Sequence, residues 1–261
     1  MNSTKVGWCL AIAATLPVPE KHALKALIHQ RDPRLIEIVP TADNIDKVVS
    51  LSTVAAVSQA FQSWYGIYHT IECSTDQARS LQLQFDSTSS WSASLLYGEV
   101  DFFGYASLLA KLNPQPGQII YDLGHGTGRA VLAAALLYPQ LHVVGIELVD
   151  SLYDVSCAAL AEFHRRTLPS QGKVTLHHGD LTQIDWWTKS SIVFVNATAF
   201  STSLWSQVQT LASRMQPGTV FVSLTQTLPV GGDFKLLDEE ATPWPVATSW
   251  GSEPAYMYTK I

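Results

Sequence analysis

Apolar residues recur along this chain in two rhythms, and the change from one to the other divides it. From Ile45 to Ile71 the residues Val48, Leu51, Val54, Val57, Phe61, Trp64 and Tyr68 return every three or four positions, the spacing of one helix face, behind Thr41 and Asp43 as helix caps. Residues 1–93 therefore read as a mainly helical N-terminal region. A polar tract rich in Ser, Thr, Gln and Asp, from Cys73 to Ser94, leads into a second region, 94–261, where short apolar runs alternate with helical patterns. Strands are predicted near 118–122, 141–147, 173–177, 191–196 and 219–224, with helices at 127–138, 151–166 and 203–215 between them. Such alternation is the signature of a parallel sheet covered by helices on both faces. After Gly231 and Gly232 the pattern adds two or three more extended pieces.

One junction carries candidate chemistry. The apolar Ile119 and Ile120 run into Tyr121-Asp122-Leu123-Gly124-His125-Gly126-Thr127-Gly128-Arg129, and a small-residue helix pattern follows from Ala130. A strand that turns at closely spaced glycines into a helix lets backbone approach a ligand and aims N–H groups at it. The spacing is not the G-x-G-x-x-G of dinucleotide enzymes, and it lacks the Lys-Ser/Thr ending of a phosphate loop, which disfavours NAD and ATP. Taken singly, the loop is equally a plain strand-to-helix turn. Two further strand ends add to it. The second predicted strand stops at Glu147, a carboxylate placed to accept ribose hydroxyls, and the third leads into Gly179-Asp180, where Asp180 is placed to accept from an adenine amino group.

These features, in this order, are similar to those of class I methyltransferases that use S-adenosylmethionine. Upstream stands Tyr97-Gly98-Glu99-Val100, before an amphipathic segment at 103–112. Downstream come Ile192-Val193-Phe194-Val195-Asn196-Ala197-Thr198-Ala199-Phe200, then Phe221-Val222-Ser223 behind Pro217-Gly218, then Ser249-Trp250 ahead of Pro254-Ala255-Tyr256-Met257-Tyr258. The series resembles the Dot-one-type (disruptor of telomeric silencing) family of histone H3 lysine methyltransferases over roughly 94–261.

The resemblance implies an α/β fold, Rossmann-like, with a mostly parallel seven-stranded sheet flanked by helices and closed by an antiparallel pair. It implies S-adenosylmethionine as cofactor, bound by Tyr97, Glu99, Val100, Asp122, Gly124, Gly126, Gly128, Glu147, Asp180 and Leu181. Glu99 is expected to pair with the ammonium of the cofactor. Asn196 would stand beside the transferring methyl, and Phe194, Phe200, Trp250 and Tyr256 would shape an acceptor channel. Histone H3 or the nucleosome as substrate, and a nuclear location, are implied in the same way.

Departures from the family pattern fall on both the acceptor side and the cofactor side. Asn196-Ala197-Thr198 stands where the family has paired asparagines and a phenylalanine, and Met257 separates the two late tyrosines. His125 replaces the serine of the glycine loop, and Leu181 replaces a phenylalanine. Another basic protein, a small molecule, or a cofactor-binding role without catalysis therefore stay open as alternatives.

Composition narrows the rest. At 261 residues and 47% hydrophobic content the chain can bury a sizeable core. Cys9, Cys73 and Cys157 are too few and too scattered for a disulfide framework or a zinc site, so a reducing compartment and no metal are expected. The run from Val6 to Leu16 has the look of a short signal segment, but reads as a buried element. Pro17 and Pro19 cut it short of a membrane span, and no membrane contact is expected. Net charge is −6, and positive charge gathers only at Lys21, Lys25, Arg31 and Arg34, the candidates for weak phosphate contact.

Overall fold

The computed structural model describes residues 51–74, 76–80, 98–166, 172–237, 243–249 and 251–261. The basic stretch at Lys21, Lys25, Arg31 and Arg34, the Val6–Leu16 run, Tyr97 and Trp250 lie outside the described residues.

Among the described residues helix α1 (Leu51–Thr70) comes first, then α2 (Phe102–Leu112). The alternating part follows as β1 (Ile119–Leu123), α3 (Arg129–Leu137), β2 (His142–Glu147), α4 (Asp150–Arg165), β3 (Lys173–His178), β4 (Ile192–Asn196), α5 (Thr202–Ala212) and β5 (Val220–Leu224). Three strands end the chain: β6 (Phe234–Leu236), β7 (Trp244–Thr248) and β8 (Gly251–Lys260). The sheet runs β3-β2-β1-β4-β5-β8-β6, with β7 paired to β8 off this path. From β3 to β5 every pairing is parallel, and β8 enters antiparallel between β5 and β6. Among the described residues the sheet thus has eight strands where seven are predicted. The added one is β7, whose residues Trp244–Thr248 pair with the first half of the long β8.

Period-two alternation sends the strand side chains to two cores. Ile120, Val143, Ile192, Phe194, Val222 and Met257 face α1, α2 and α3, while Leu123, Val144, Val193, Val195, Phe221 and Tyr258 face α5 and the fully buried Trp186. Helix α3 is sandwiched so closely that Ala130 to Ala135 are all buried, and its run of small residues is what permits that approach. On its outer side α1 lays Trp64, Ile67 and Tyr68 into the same core, with Phe61 4.6 Å from Phe103 and 5.4 Å from Phe102 between ring centroids. Although it belongs to the first ninety residues, α1 is built into the core of the sheet.

The segment before α2 is held against the far end of the chain. Asp101 caps α2, accepting from the N–H groups of Phe103 (2.8 Å) and Gly104 (3.4 Å). Its own N–H donates to the Ala247 carbonyl at 2.9 Å, and Ser249 N–H donates to the Glu99 carbonyl at 2.8 Å. Val100 bridges Thr248. Gly104 makes this closeness possible: a Cβ there would stand 2.8 Å from the Ala247 nitrogen, and backbone has no means of turning aside. Residues about 150 apart in sequence are thereby clasped beside the ends of β1 and β4. Among the described residues no helix is long and apolar enough to cross a membrane.

Candidate active site

The glycine loop leaves β1 at the carboxyl edge of the sheet, where β2 and β4 also end. Gly124 (φ 80°) and Gly126 (φ 57°) take left-handed conformations that other residues adopt only under strain. With these turns the N–H groups of Gly124 and His125 reach back to the Ile146 carbonyl at 2.8 and 3.1 Å. The loop then enters α3, whose N-terminus faces the cavity formed between the strand ends.

Glu147, at the end of β2, holds this loop. Its Oε2 accepts from Gly126 N–H at 2.7 Å, and its Oε1 accepts from the N–H groups of Leu148 (3.0 Å) and Val149 (2.9 Å). Burial pushes its pKa up, and the three amides oppose that shift. A carboxylate offers about four acceptor sites. With three in use, Glu147 has room for about one more donor, fewer than the pair of ribose hydroxyls expected of it.

Asp122 lies on the cavity floor at the end of β1, 3% exposed. Burial, and then the charge of Glu147, raise its pKa to about 8. His125, buried on the wall of the same cavity, is shifted the other way: burial lowers its pKa to about 4. Its Nδ1 lies 2.9 Å from the Gly126 carbonyl, which makes Nδ1 the protonated nitrogen, while Nε2 is buried without a partner. Gly145 accommodates the ring, since a Cβ there would fall 2.4 Å from His125 Cδ2. The two titrations have opposite effects on stability. Protonation of His125 favours unfolding as pH falls from about 6.5 to 4, whereas ionisation of Asp122 removes stability as pH rises from about 4 to 8.

Glu99 closes one wall and is already engaged. Its Oε1 accepts from Arg129 Nε at 2.7 Å and from the Thr127 hydroxyl at 3.2 Å. The Arg129 guanidinium also donates to the Cys73 carbonyl at 2.7 Å and lies 4.1 Å from the Tyr68 ring centroid. In return α1 braces the loop backbone, with Trp64 Nε1 donating to the Arg129 carbonyl (2.9 Å) and the Tyr68 hydroxyl to the Thr127 carbonyl (3.0 Å). The ammonium partner expected for Glu99 would therefore share its carboxylate with a resident arginine.

On the opposite wall, Asn196 ends β4. Its Nδ2 donates to the Gly98 carbonyl at 3.1 Å, and its Oδ1 accepts from the Thr198 hydroxyl at 2.9 Å. Phe194 is buried against Tyr105, ring centroids 5.0 Å apart, and Phe200 reaches over Gly124.

The structure brings Glu99, Val100, Asp122, Gly124, Gly126 and Glu147 to this one cavity, together with Phe194, Asn196 and Phe200. Four predicted positions lie off its wall. Gly128 (φ 82°) starts α3 and packs on Ser156. Asp180 accepts from Thr182 N–H at 2.7 Å within its own turn, and Leu181 is buried with Trp186, whose Nε1 donates to the Leu181 carbonyl. Tyr256 on β8 packs at the edge of the second core, opposite Ser223. The sequence pattern assigns no role to Arg129 or His125, which the structure places on the cavity wall. Arg129 directly follows the glycine triplet, and the signal for a buried His125 is Gly145, a glycine inside an otherwise apolar strand.

Comparison with known proteins follows the same outline. The family described as histone methylation protein DOT1 matches residues 73–241. The chain belongs to the DOT1 family. Among curated DOT1 relatives, the H3 lysine-79 specific histone-lysine N-methyltransferase of Aspergillus fumigatus is 28% identical over 143 residues, covering 52% of this chain and 28% of that protein. The enzyme of the same description from Dictyostelium discoideum is 24% identical over 139 residues, covering 50% of this chain and 7% of that protein. The chain thus matches only a minor part of the length of these DOT1 relatives. Of solved structures, TrmN from Thermus thermophilus is similar at 18% identity and a TM-score of 0.47, covering 66% of this chain and 52% of that one.

Proposed function

We propose that the chain is an S-adenosylmethionine-dependent protein lysine N-methyltransferase whose acceptor is a lysine of histone H3, working in the nucleus. The observation that carries this reading is the position of Asn196, an amide on the wall of the same cavity as the glycine loop, Asp122 and Glu147. Membership of the DOT1 family supports it, and so does the specificity of the named relatives for lysine 79 of histone H3. Contact with nucleosomal phosphate through Lys21, Lys25, Arg31 and Arg34 belongs to the same proposal. For a chain of net charge −6, attraction to the basic histone surface is the larger electrostatic term.

The residues present fit the cofactor. Left-handed glycines expose loop backbone to the cavity, and a buried acid with a raised pKa sits where a cation would relieve it. The loop, Asp122, Glu147, Glu99 and Val100 would hold it. Bound there, S-adenosylmethionine supplies a methyl group on a sulfonium, already activated for transfer to a nucleophile. What remains for the protein is alignment of the acceptor and exclusion of water. Phe194 and Phe200 give the cavity apolar walls that disfavour a lysine ammonium and favour the neutral amine. Asn196 offers its amide to the acceptor nitrogen.

Transfer of labelled methyl to nucleosomes, free core histones, RNA and a small-molecule extract, run in parallel, tests the assignment. Label on an H3 lysine is expected, and Asn196→Ala should reduce it by about 100-fold while leaving cofactor affinity in place. Label confined to RNA or to a small molecule refutes the histone acceptor.

Cofactor binding should also move a proton. At pH 7 most Asp122 side chains are protonated, given a pKa of about 8, and a cationic ligand favours the ionised form. Calorimetry in buffers of different ionisation heat should show close to one proton released on binding S-adenosylmethionine at pH 7. Asp122→Asn should release none, and should lose the decline in ligand-free stability between about pH 6.5 and 8. A proton count unchanged by that substitution would assign the release elsewhere.

A further inference from the structure

We propose that Tyr105 is a positioning residue for the cofactor, its hydroxyl donating to the Asp122 carboxylate when a cation in the cavity holds that group ionised. The inference rests on the reading of the cofactor and of Asp122 above. It gives a part to a buried side chain that packs behind Phe194, a residue of the cavity wall.

Three relations bring the two groups together. Asp122 on β1 and Phe194 on β4 are cross-strand partners in a parallel pair, so their side chains leave one face of the sheet side by side. From the first turn of α2 the Tyr105 ring packs on that same Phe194, centroids 5.0 Å apart. The charge of Asp122 also reaches the hydroxyl: burial first, and then that charge, hold its pKa well above the usual tyrosine value. Tyr105 therefore stays a donor throughout the range in which Asp122 titrates. Its backbone is fixed as well, since Tyr105 N–H donates to the Asp101 carbonyl at 2.9 Å beside the clasp to β7.

Among the described residues neither group has a hydrogen-bond partner of its own. The Tyr105 hydroxyl is buried and unpaired, and nothing donates to the Asp122 carboxyl. The other donors around the cavity floor are committed. Gly126 N–H faces Glu147, Asn196 Nδ2 faces the Gly98 carbonyl, and Arg129 and the Thr127 hydroxyl serve Glu99. Tyr68, the other tyrosine that feels the charge of Asp122, spends its hydroxyl on the Thr127 carbonyl.

The energetics explain a tyrosine at this position. At pH 7 Asp122, with its pKa of about 8, is mostly a neutral acid with little need of a donor. A buried hydroxyl without a partner lowers stability, and phenylalanine could pack on Phe194 free of that penalty. Ionisation reverses the balance, because a hydrogen bond to a charged group is roughly twice as strong as a neutral one. The hydroxyl thus favours the ionised acid, and with it the cationic ligand. Around Asp122 stand Glu147 from β2, His125 and Arg129 from the loop and α3, Glu99 from the segment before α2, and Tyr68 from α1, while β4 carries no ionisable side chain. Substitution of Tyr105 leaves all of these in place.

The test compares Tyr105→Phe with the parent by calorimetric titration at pH 7 and pH 9, using S-adenosylmethionine and the uncharged 5′-methylthioadenosine. Affinity for S-adenosylmethionine should fall by about tenfold at pH 7, the loss of one hydrogen bond to a charged group. That loss should narrow to about twofold at pH 9, where most of the parent's Asp122 is ionised before the ligand arrives. The ligand's own ionisation enters both proteins alike and cancels from the ratio. Affinity for 5′-methylthioadenosine, which brings no cation, should stay unchanged, and the melting temperature at pH 6 should match or exceed that of the parent. An equal loss for both ligands, or a loss constant with pH, would show that Tyr105 only shapes the wall, and overturns the proposal. Parent affinity for S-adenosylmethionine at pH 7, or a lowered melting temperature, overturns it too, and each leaves the cofactor reading standing. A parent protein that binds no S-adenosylmethionine overturns the cofactor reading, and the part of Tyr105 with it.

Discussion

Replacing Arg129 with methionine should destabilise the protein by about 3–5 kcal/mol, the cost of leaving one member of a buried ion pair without its partner. Both side chains are shielded, with 12% of Arg129 and 7% of Glu99 exposed, and they meet at 2.7 Å. Methionine keeps much of the packing on Tyr68 and Trp64 but leaves Glu99 facing a core with one strong donor fewer, and it also abandons the Cys73 carbonyl. The double variant Arg129→Met/Glu99→Gln should recover part of the loss, because a neutral amide is cheaper to bury than a lone carboxylate. Urea unfolding of the single and double variants measures both effects. If the double variant is as unstable as the sum of its parts, the loss comes from packing and the charge pair is not its source.

Glu147→Ala should be of similar weight, and Glu147→Gln is the sharper probe. Alanine strips three backbone N–H groups of their acceptor, each worth about 1–3 kcal/mol when left unsatisfied. Burial already works against the carboxylate, as its raised pKa shows, so the net loss should be nearer 3 kcal/mol than the sum. Glutamine can still accept from Leu148 and Val149 through its oxygen, but its NH2 group then meets Gly126 N–H, donor against donor, where Oε2 now accepts at 2.7 Å. The fold should survive, with the glycine loop displaced. Affinity for S-adenosylhomocysteine should fall by about tenfold or more, the equivalent of about 1.4 kcal/mol. Calorimetric titration decides it, and wild-type affinity in the glutamine variant would mean that the loop holds its shape without this acceptor.

Much of the architecture was legible because it depends on local pattern. The five predicted parallel strands and the helices between them lie within a few residues of the observed β1 to β5 and α3 to α5, since each carries its own apolar period and its own breakers. The glycine loop and the acidic end of β2 were legible for the same reason. What the carboxylates do was not. Glu147 spends its oxygens on the adjacent amides of Leu148 and Val149 and on Gly126, and Glu99 spends one of its own on Arg129 and Thr127; the contacts to Gly126, Arg129 and Thr127 join segments that periodicity does not relate. The tail was the least readable part. β7 and β8 are separated by only a short turn, and nothing in either tells that β8 inserts between β5 and β6 while β7 stays outside. The place of Tyr256 depended on that register, and it fell opposite Ser223, away from the cavity.

The clasp between residues 99–101 and 247–249 also bears on the order of events during folding. Its hydrogen bonds join positions about 150 residues apart, so the chain must close a very long loop before they form, at an entropic cost that local turns do not meet. The glycine loop and the Glu147 contacts span about 20 residues and can form early. The Glu99 wall waits for β7, which leaves the ribosome more than a hundred residues after the glycine loop. A nascent chain stopped short of β7 would carry the cradle without this wall, and a fully formed site would report that both ends of the domain had met.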